Sequence, residues 1–244
     1  MAAKTSSSTP EIVWGKFVNP EGLPILYKNE NAPKKHIRGV HPPAGVDNMM
    51  LKTTDIFRIP GMGEFTVDFK GYFQVTRSEA DNPEFSKATV YVNFTDLRLF
   101  GEHSQLGEIM VDLNPNIVSA GNTYPSRNIG LEACKINVAA RFHISKLKTV
   151  LFNKTPIQLT NENVKGIPTI GEGGKANVFA LPLYNWQDNN GNLFGYVEEL
   201  EYMVLNYADK HTAESYRKAK TIRELDAFIT NRNLWDTDSN DIVG

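Results

Sequence analysis

The feature that most constrains this chain is a run over residues 64–76 in which apolar and polar side chains alternate. The apolar set is Phe65, Val67, Phe69, Phe73 and Val75, with Gly71 among them. A period of two is typical of a β-strand with one buried face and one wet face. At roughly 3.3 Å per residue this strand would be about 40 Å long, twice the ordinary length. The run therefore predicts a large β structure.

Three further long segments share this character. Residues 88–100 change the parity of their apolar set between Phe94 and Leu97, which predicts a β-bulge near Thr95 and Asp96. Residues 134–144 alternate throughout, and residues 193–205 follow the turn signal Asn190-Gly191. Because no helical segments separate the strands, we expect antiparallel pairing.

The fold class follows from these segments and from the C-terminus. Thr221 and Glu224 match a capping box, which places a helix there. The sequence predicts a mainly β chain, either a single antiparallel β-sandwich or a flattened β-barrel with long strands, plus a C-terminal α-helix. We expect a flexible tail over 1–10, the β domain over 11–210, a helical segment packed on it over 211–234, and an acidic tail over 235–244.

Composition narrows the partners. The net charge is −2 and the pI about 6.2, so no basic field attracts nucleic acid, and no nucleic-acid partner is expected. The N-terminus lacks the apolar stretch of a secretory signal, and no apolar run is long enough to cross a bilayer. These features predict a cytoplasmic protein with no membrane span. The single cysteine, Cys134, excludes an intrachain disulfide.

Motifs for cofactors and metals lack the context that their chemistry needs. Residues 171–176 fit G-x-G-x-x-A, but a strand-like segment follows where a helix N-terminus should hold a pyrophosphate. A flexible hairpin loop explains them better. Asp188, Asn190 and Asn192 begin a calcium-loop pattern that has Leu193 where glycine is required. We therefore expect neither a cofactor nor a metal.

Two carboxylates stand out against apolar faces. Alternation places Glu198 on one face with Leu200 and Val204, and Asp96 lies at the predicted bulge. A carboxylate on an inward face must be paired, hydrogen-bonded or protonated. Glu198 and Asp96 are therefore the candidate catalytic residues, as acid and base. The alternative is that Glu198 lies at a wet strand end or pairs with Arg98 or Arg141.

An excess of aromatic residues on inward faces suggests the function. The candidate ligand-binding residues are Phe65, Phe69, Phe73, Phe94, Phe142, Tyr196 and Tyr202. They favour a cytosolic β-domain that binds an apolar small molecule, or in narrower form a cofactor-free isomerase or cyclase. One alternative is a non-enzymatic interaction or self-assembly protein, a homo-oligomer with a solid core. Another is a carbohydrate-binding sandwich that uses Trp14, Trp186 or Trp235. A cavity beside the inward faces would favour the first.

Overall fold

The structure is a computed structural model that describes residues 16–18, 24–26, 44–81, 88–125, 132–164, 173–188 and 191–229. The strands are β1 (Lys16–Val18), β2 (Pro24–Leu26), β3 (Gly45–Ile59), β4 (Gly63–Arg77), β5 (Val90–His103), β6 (Gly107–Leu113), β7 (Ala120–Pro125), β8 (Glu132–Val138), β9 (Ala140–Ile144), β10 (Thr149–Asn153), β11 (Ile157–Val164), β12 (Gly173–Asn177), β13 (Leu181–Asn185) and β14 (Leu193–Tyr207). Two helices follow, α1 (Lys210–Lys218) and α2 (Ile222–Ile229).

Strands β3 to β14 form one antiparallel sheet that closes into a ring where β14 pairs with β3. Four long strands, β14, β3, β4 and β5, make a continuous wall. Opposite them, eight short strands make a divided wall, because each position in it holds two strands end to end. One set, β6, β9, β10 and β13, links β5 to β14 at one end of the barrel, and β7, β8, β11 and β12 link them at the other. The ring confirms the mainly β prediction and selects the barrel alternative.

The strongest pattern in the sequence corresponds to β4, which spans Gly63–Arg77 and pairs along its whole length with β3. The predicted bulge is also confirmed. Gln74 faces Asp96 and Val75 faces Phe94, which leaves Thr95 as the extra residue on β5. This extra residue explains why the apolar parity of β5 changes after Phe94.

Other strand predictions need correction. The segment 134–144 is not one strand, because it is interrupted at Ala139, whose N–H donates to Ser119 Oγ instead of a neighbouring strand. Asn153 fills the same gap, accepting from the Ala140 N–H at 2.7 Å and donating to the Val138 carbonyl. The predicted hairpin loop at 171–176 is also wrong where it is described, since Gly173 begins β12. Residues 1–10 and 235–244 lie outside the described residues.

One half of the barrel, within β6, β9, β10 and β13, is filled by side chains, and we call it the filled half. Phe57 lies at its centre, with ring centroids 6.2 Å from Phe69 and 5.4 Å from Phe142, both edge to face. Phe65 packs similarly on the ring of His103 at 5.2 Å. These contacts give this half the dense packing of an ordinary protein core.

The two helices pack on the outer face of β4 and β5. Tyr216 of α1 lies between Tyr72 and Phe100, with ring centroids 6.4 and 6.2 Å away. Asp209 caps α1 by accepting from the Thr212 N–H at 2.7 Å. The two helices confirm the predicted C-terminal α-helix. No helix in the described ranges is long and apolar enough to cross a membrane.

Candidate ligand cavity

The other half of the barrel, on the side of β7, β8, β11 and β12, contains a cavity that also reaches Val111 of β6 and Phe142 of β9, and we call this half the hollow half. Its volume is about 120 Å³, counted as the space open to the centre of a water-sized sphere. One water needs about 10–15 Å³ on this measure, so the cavity is several times larger. Its wall is mainly apolar and draws on both sides of the barrel, with residues such as Leu51, Phe73, Leu99, Val138, Leu159 and Leu200.

The end of the cavity carries a buried ion pair. Arg77 on β4 donates from Nε to Asp47 Oδ2 at 2.5 Å and from its Nη2 to Asp47 Oδ1 at 3.2 Å. Two parallel hydrogen bonds are the strongest arrangement of an arginine and a carboxylate. The pair therefore satisfies both charges and adds no net charge to the cavity.

A second polar site lies deeper along β3. Asp55 faces the cavity and is almost completely buried, and burial raises the pKa of its carboxyl from 3.8 to about 7. The nearby Thr53 hydroxyl lowers this pKa in part, and the charge of Asp68, across the sheet, raises it further. A carboxyl with this pKa exchanges a proton near neutral pH, as acid–base chemistry requires.

Sequence reasoning missed Asp55, although a signal was present. Asp55 has the same parity in β3 as Leu51 and Phe57, so strict alternation puts it on the apolar face. A polar residue at an inward position of a strand indicates a candidate site, and Asp55 fits this description. The predicted site residues also did not include three other polar side chains that line the cavity, those of Asp47, Thr53 and Arg77.

The predicted ligand-binding residues separate into three groups. Phe73, Phe94, Phe142 and Tyr202 line the cavity. Phe65 and Phe69 face inward but are buried in the filled half, where they contact other side chains. Tyr196 lies on the outer face, where the guanidinium of Arg58 covers its ring at 5.1 Å.

Glu198 does not line the cavity, and its predicted inward position is wrong. A register shift between Val197 and Glu199 in the β14–β3 pairing changes the parity of β14. Val197 and Leu200 are therefore the buried residues, and Glu198 pairs with Arg58, Nε to Oε1, at 2.6 Å. The partner is neither Arg98 nor Arg141.

Asp96 also lies away from the cavity, although the bulge was predicted correctly. Its Oδ2 accepts from Arg217 of α1 at 2.7 Å, and its Oδ1 accepts from the Leu97 N–H at 2.9 Å. Arg217 also donates to the Tyr72 hydroxyl at 2.6 Å. The bulge thus turns Asp96 toward the helix, where it fixes α1 to the barrel.

Another charged cluster lies on the outer face of β6 and β9. Burial alone would raise the pKa of Asp112, but hydrogen bonds with His143 and Arg141 lower it below its usual value. Arg98 adds a third contact, from its Nη1 to Asp112 Oδ2 at 3.1 Å. Across the described ranges, no three His, Cys, Asp or Glu side chains are arranged to hold a metal ion. Residues 189 and 190 of the calcium-like pattern lie outside those ranges.

Comparison with known proteins identifies the family. A family model described as a family of unknown function (DUF6073) matches residues 1–213. The chain belongs to the DUF6073 family. It is also similar to the solved structure of DynF from the dynemicin biosynthesis pathway of Micromonospora chersina, with 34% sequence identity and a TM-score of 0.68. The match covers 84% of this chain and 99% of DynF. No curated protein matches the chain.

Proposed function

We propose that this protein binds an apolar small molecule inside the hollow half of the barrel. The observation that carries the proposal is the apolar cavity enclosed by the continuous and divided walls. Concave, largely apolar sites with a few polar groups are typical of small-molecule binding. The similarity to DynF, a protein from a biosynthetic pathway, supports a ligand of this kind.

Apolar burial supplies the affinity in this proposal. A ligand that loses about 250 Å² of apolar surface gains roughly 6 kcal/mol before the cost of immobilising it. Phe73 and Phe94, whose ring centroids stack at 5.3 Å, present a preformed aromatic surface at the cavity wall. Because these two rings already pack against each other, little of the gain is spent on arranging them.

The test is titration with a neutral apolar dye, N-phenyl-1-naphthylamine, whose fluorescence rises when it leaves water. Wild-type protein should bind it, and Val138→Phe, which adds a ring inside the cavity, should weaken binding at least about tenfold. Val150→Phe, which adds the same ring on a strand residue that does not line the cavity, is the matched control. Failure of the wild-type protein to bind, or equal affinity in Val138→Phe, would contradict the proposal.

A cofactor-free isomerase or cyclase is a narrower form of the same proposal. Such an enzyme needs a proton-transfer group beside the bound molecule. Asp55 is the cavity-lining carboxyl with a pKa near neutrality, and it replaces Glu198 and Asp96 as the candidate for this role. Product formation from a cyclisable polyene, abolished in Asp55→Asn, would support this form.

The alternatives receive less support. A self-assembly protein with a solid core does not require the cavity. For carbohydrate binding, Trp186 packs on the outer face against Phe152 at 5.1 Å and beneath Arg141 at 5.2 Å, which occupies its ring. Trp14 and Trp235 lie outside the described residues.

A further inference from the structure

Two polar side chains interrupt the apolar wall in the middle of β3. Thr53 and Asp55 both line the cavity and are 6% and 2% exposed. Within the described part of the chain, neither Thr53 Oγ1 nor Asp55 Oδ1 has a hydrogen-bond partner of good geometry, although the two groups are near enough to influence each other. Buried polar atoms are nearly always satisfied by protein or by a bound molecule.

Of the four residues registered with these groups on β4 and β14, only Tyr202 has a polar side-chain atom, and neither Thr53 Oγ1 nor Asp55 Oδ1 is hydrogen-bonded to it. Across β4, Asp55 faces Val67 and Thr53 faces Phe69. Across β14, Asp55 faces Leu200 and Thr53 faces Tyr202. The direction that is open to both groups is therefore the cavity itself.

We propose that Thr53 and Asp55 form a polar subsite that binds a neutral carbonyl or hydroxyl group on an otherwise apolar ligand. This inference rests on the proposed function and narrows its ligand class. A protonated Asp55 donates to a carbonyl oxygen, and the Thr53 hydroxyl donates or accepts as the ligand requires. An alkane fills the same cavity but leaves both polar groups unsatisfied.

The charges around the subsite favour a neutral group over an anion. The charged residues that line the described cavity are Asp47, Asp55 and Arg77. Asp47 is eight residues from Asp55 along β3, roughly 25 Å in an extended strand, and Arg77 is engaged by Asp47. Asp68, the remaining charged influence on Asp55, is negative. An anionic group at the subsite would thus meet one or two negative charges and no nearby cation.

Protonation makes the preference depend on pH. Burial raises the pKa of Asp55 to about 7, so the carboxyl donates below this pH and accepts above it. A ketone, which only accepts, should bind better at pH 6 than at pH 8. An alcohol, which can also donate, should bind about equally at both. The Asp47–Arg77 pair and the outward Asp68 are the same for both ligands, so they do not account for a difference between the ketone and the alcohol.

The experiment measures displacement of N-phenyl-1-naphthylamine by octane, 2-octanone and 2-octanol at pH 6 and pH 8. In wild-type protein we expect 2-octanone to bind about tenfold tighter than octane at pH 6, the value of one buried hydrogen bond, with a smaller ratio at pH 8. Asp55→Leu should remove the ketone preference and retain dye and octane binding. Thr53→Val should reduce it without altering the fold, and Thr66→Val, the same change at an exposed position of β4 that does not line the cavity, is the matched control.

The outcomes separate this inference from the proposed function. If wild-type protein binds neither dye nor octane, the proposed function fails. If both bind but the ketone preference is absent, or is unchanged in Asp55→Leu and Thr53→Val, the subsite is overturned. Asp55→Asn, which keeps a donor but cannot ionise, should keep the preference and lose its pH dependence.

Discussion

Arg77 and Asp47 face each other at the end of the cavity with side-chain exposures of 1% and 0%, so their charges neutralise each other out of contact with water. The two residues are diagonal neighbours on β3 and β4, where Asp47 is registered with Val75 and Gly45 with Arg77. Desolvation of each ion is costly, and their double hydrogen bond offsets that cost only while both are present.

Removal of one member of this pair should therefore destabilise the protein strongly. We expect Arg77→Met to lower the free energy of unfolding by about 3–5 kcal/mol, because Asp47 is left charged and buried. Urea unfolding followed by circular dichroism measures it. The double variant Asp47→Leu/Arg77→Met should recover much of the loss. A double variant less stable than Arg77→Met would show that the pair contributes more than mutual neutralisation.

Asp55 should make stability depend on pH in a defined direction. Its pKa is raised from 3.8 to about 7, so between these values the folded protein holds a proton that the unfolded chain has lost. The free energy of unfolding should therefore fall as pH rises from about 4 to 7 and then level off, by at most roughly 4 kcal/mol at about 1.4 kcal/mol per pKa unit. Asp55→Asn should show a flatter profile over this window in urea titrations. Identical profiles would contradict the raised pKa.

Arg217 should control the docking of α1. Arg217→Met removes its hydrogen bonds to Asp96 and to the Tyr72 hydroxyl. Because Arg217 and Asp96 are partly exposed, we expect a cost of only about 1 kcal/mol, but faster amide hydrogen exchange across α1. Lys218 lies on the same helix, with its Nζ 3.9 Å from Glu214 Oε2. Lys218→Met is therefore the control, and it should change amide hydrogen exchange little. Equal exchange in both variants would mean that aromatic packing alone holds the helix.

Truncation of a phenylalanine should have different results in the two halves of the barrel. Phe57→Ala, in the filled half, should cost about 3–5 kcal/mol because the surrounding rings cannot close the void. Phe94→Ala, at the cavity, should cost less in stability but weaken dye binding. Thermal unfolding and dye titration of both variants check this contrast. Larger destabilisation by Phe94→Ala would argue against a cavity beside that ring.

The sequence predicted the strands whose patterns are regular and the bulge that apolar residues mark on both sides, and it failed where adjacent polar residues hide the change of parity. Strand β4 and the bulge at Thr95 were visible because phenylalanine and leucine report the buried face clearly. The second bulge, at Glu198, was hidden because Glu198 and Glu199 are adjacent and both polar, so alternation did not show the shift. Strand β7 has little apolar alternation, and its pairing with β5 and β8 comes from tertiary context.

The candidate site was predicted in part for similar reasons. Alternation located Phe73 and Phe94 on the inward face, but it could not show which inward residues contact one another and which border empty space. The distinction between packed and cavity-lining residues depends on how the continuous and divided walls come together in the barrel. Asp55 was not predicted as a site residue because the polar run Thr53, Thr54 and Asp55 resembles a solvent-exposed segment. The full register of β3 shows that only Thr54 of the three faces outward.

The interruption at Ala139, filled by Ser119 and Asn153, has a consequence for how the two halves of the barrel can change separately. Because each position of the divided wall holds two strands, β8 is distinct from β9, and β11 from β10. A substitution in β8 or β11 therefore alters the cavity wall on a strand that carries neither of the rings packed on Phe57, which belong to Phe69 and Phe142.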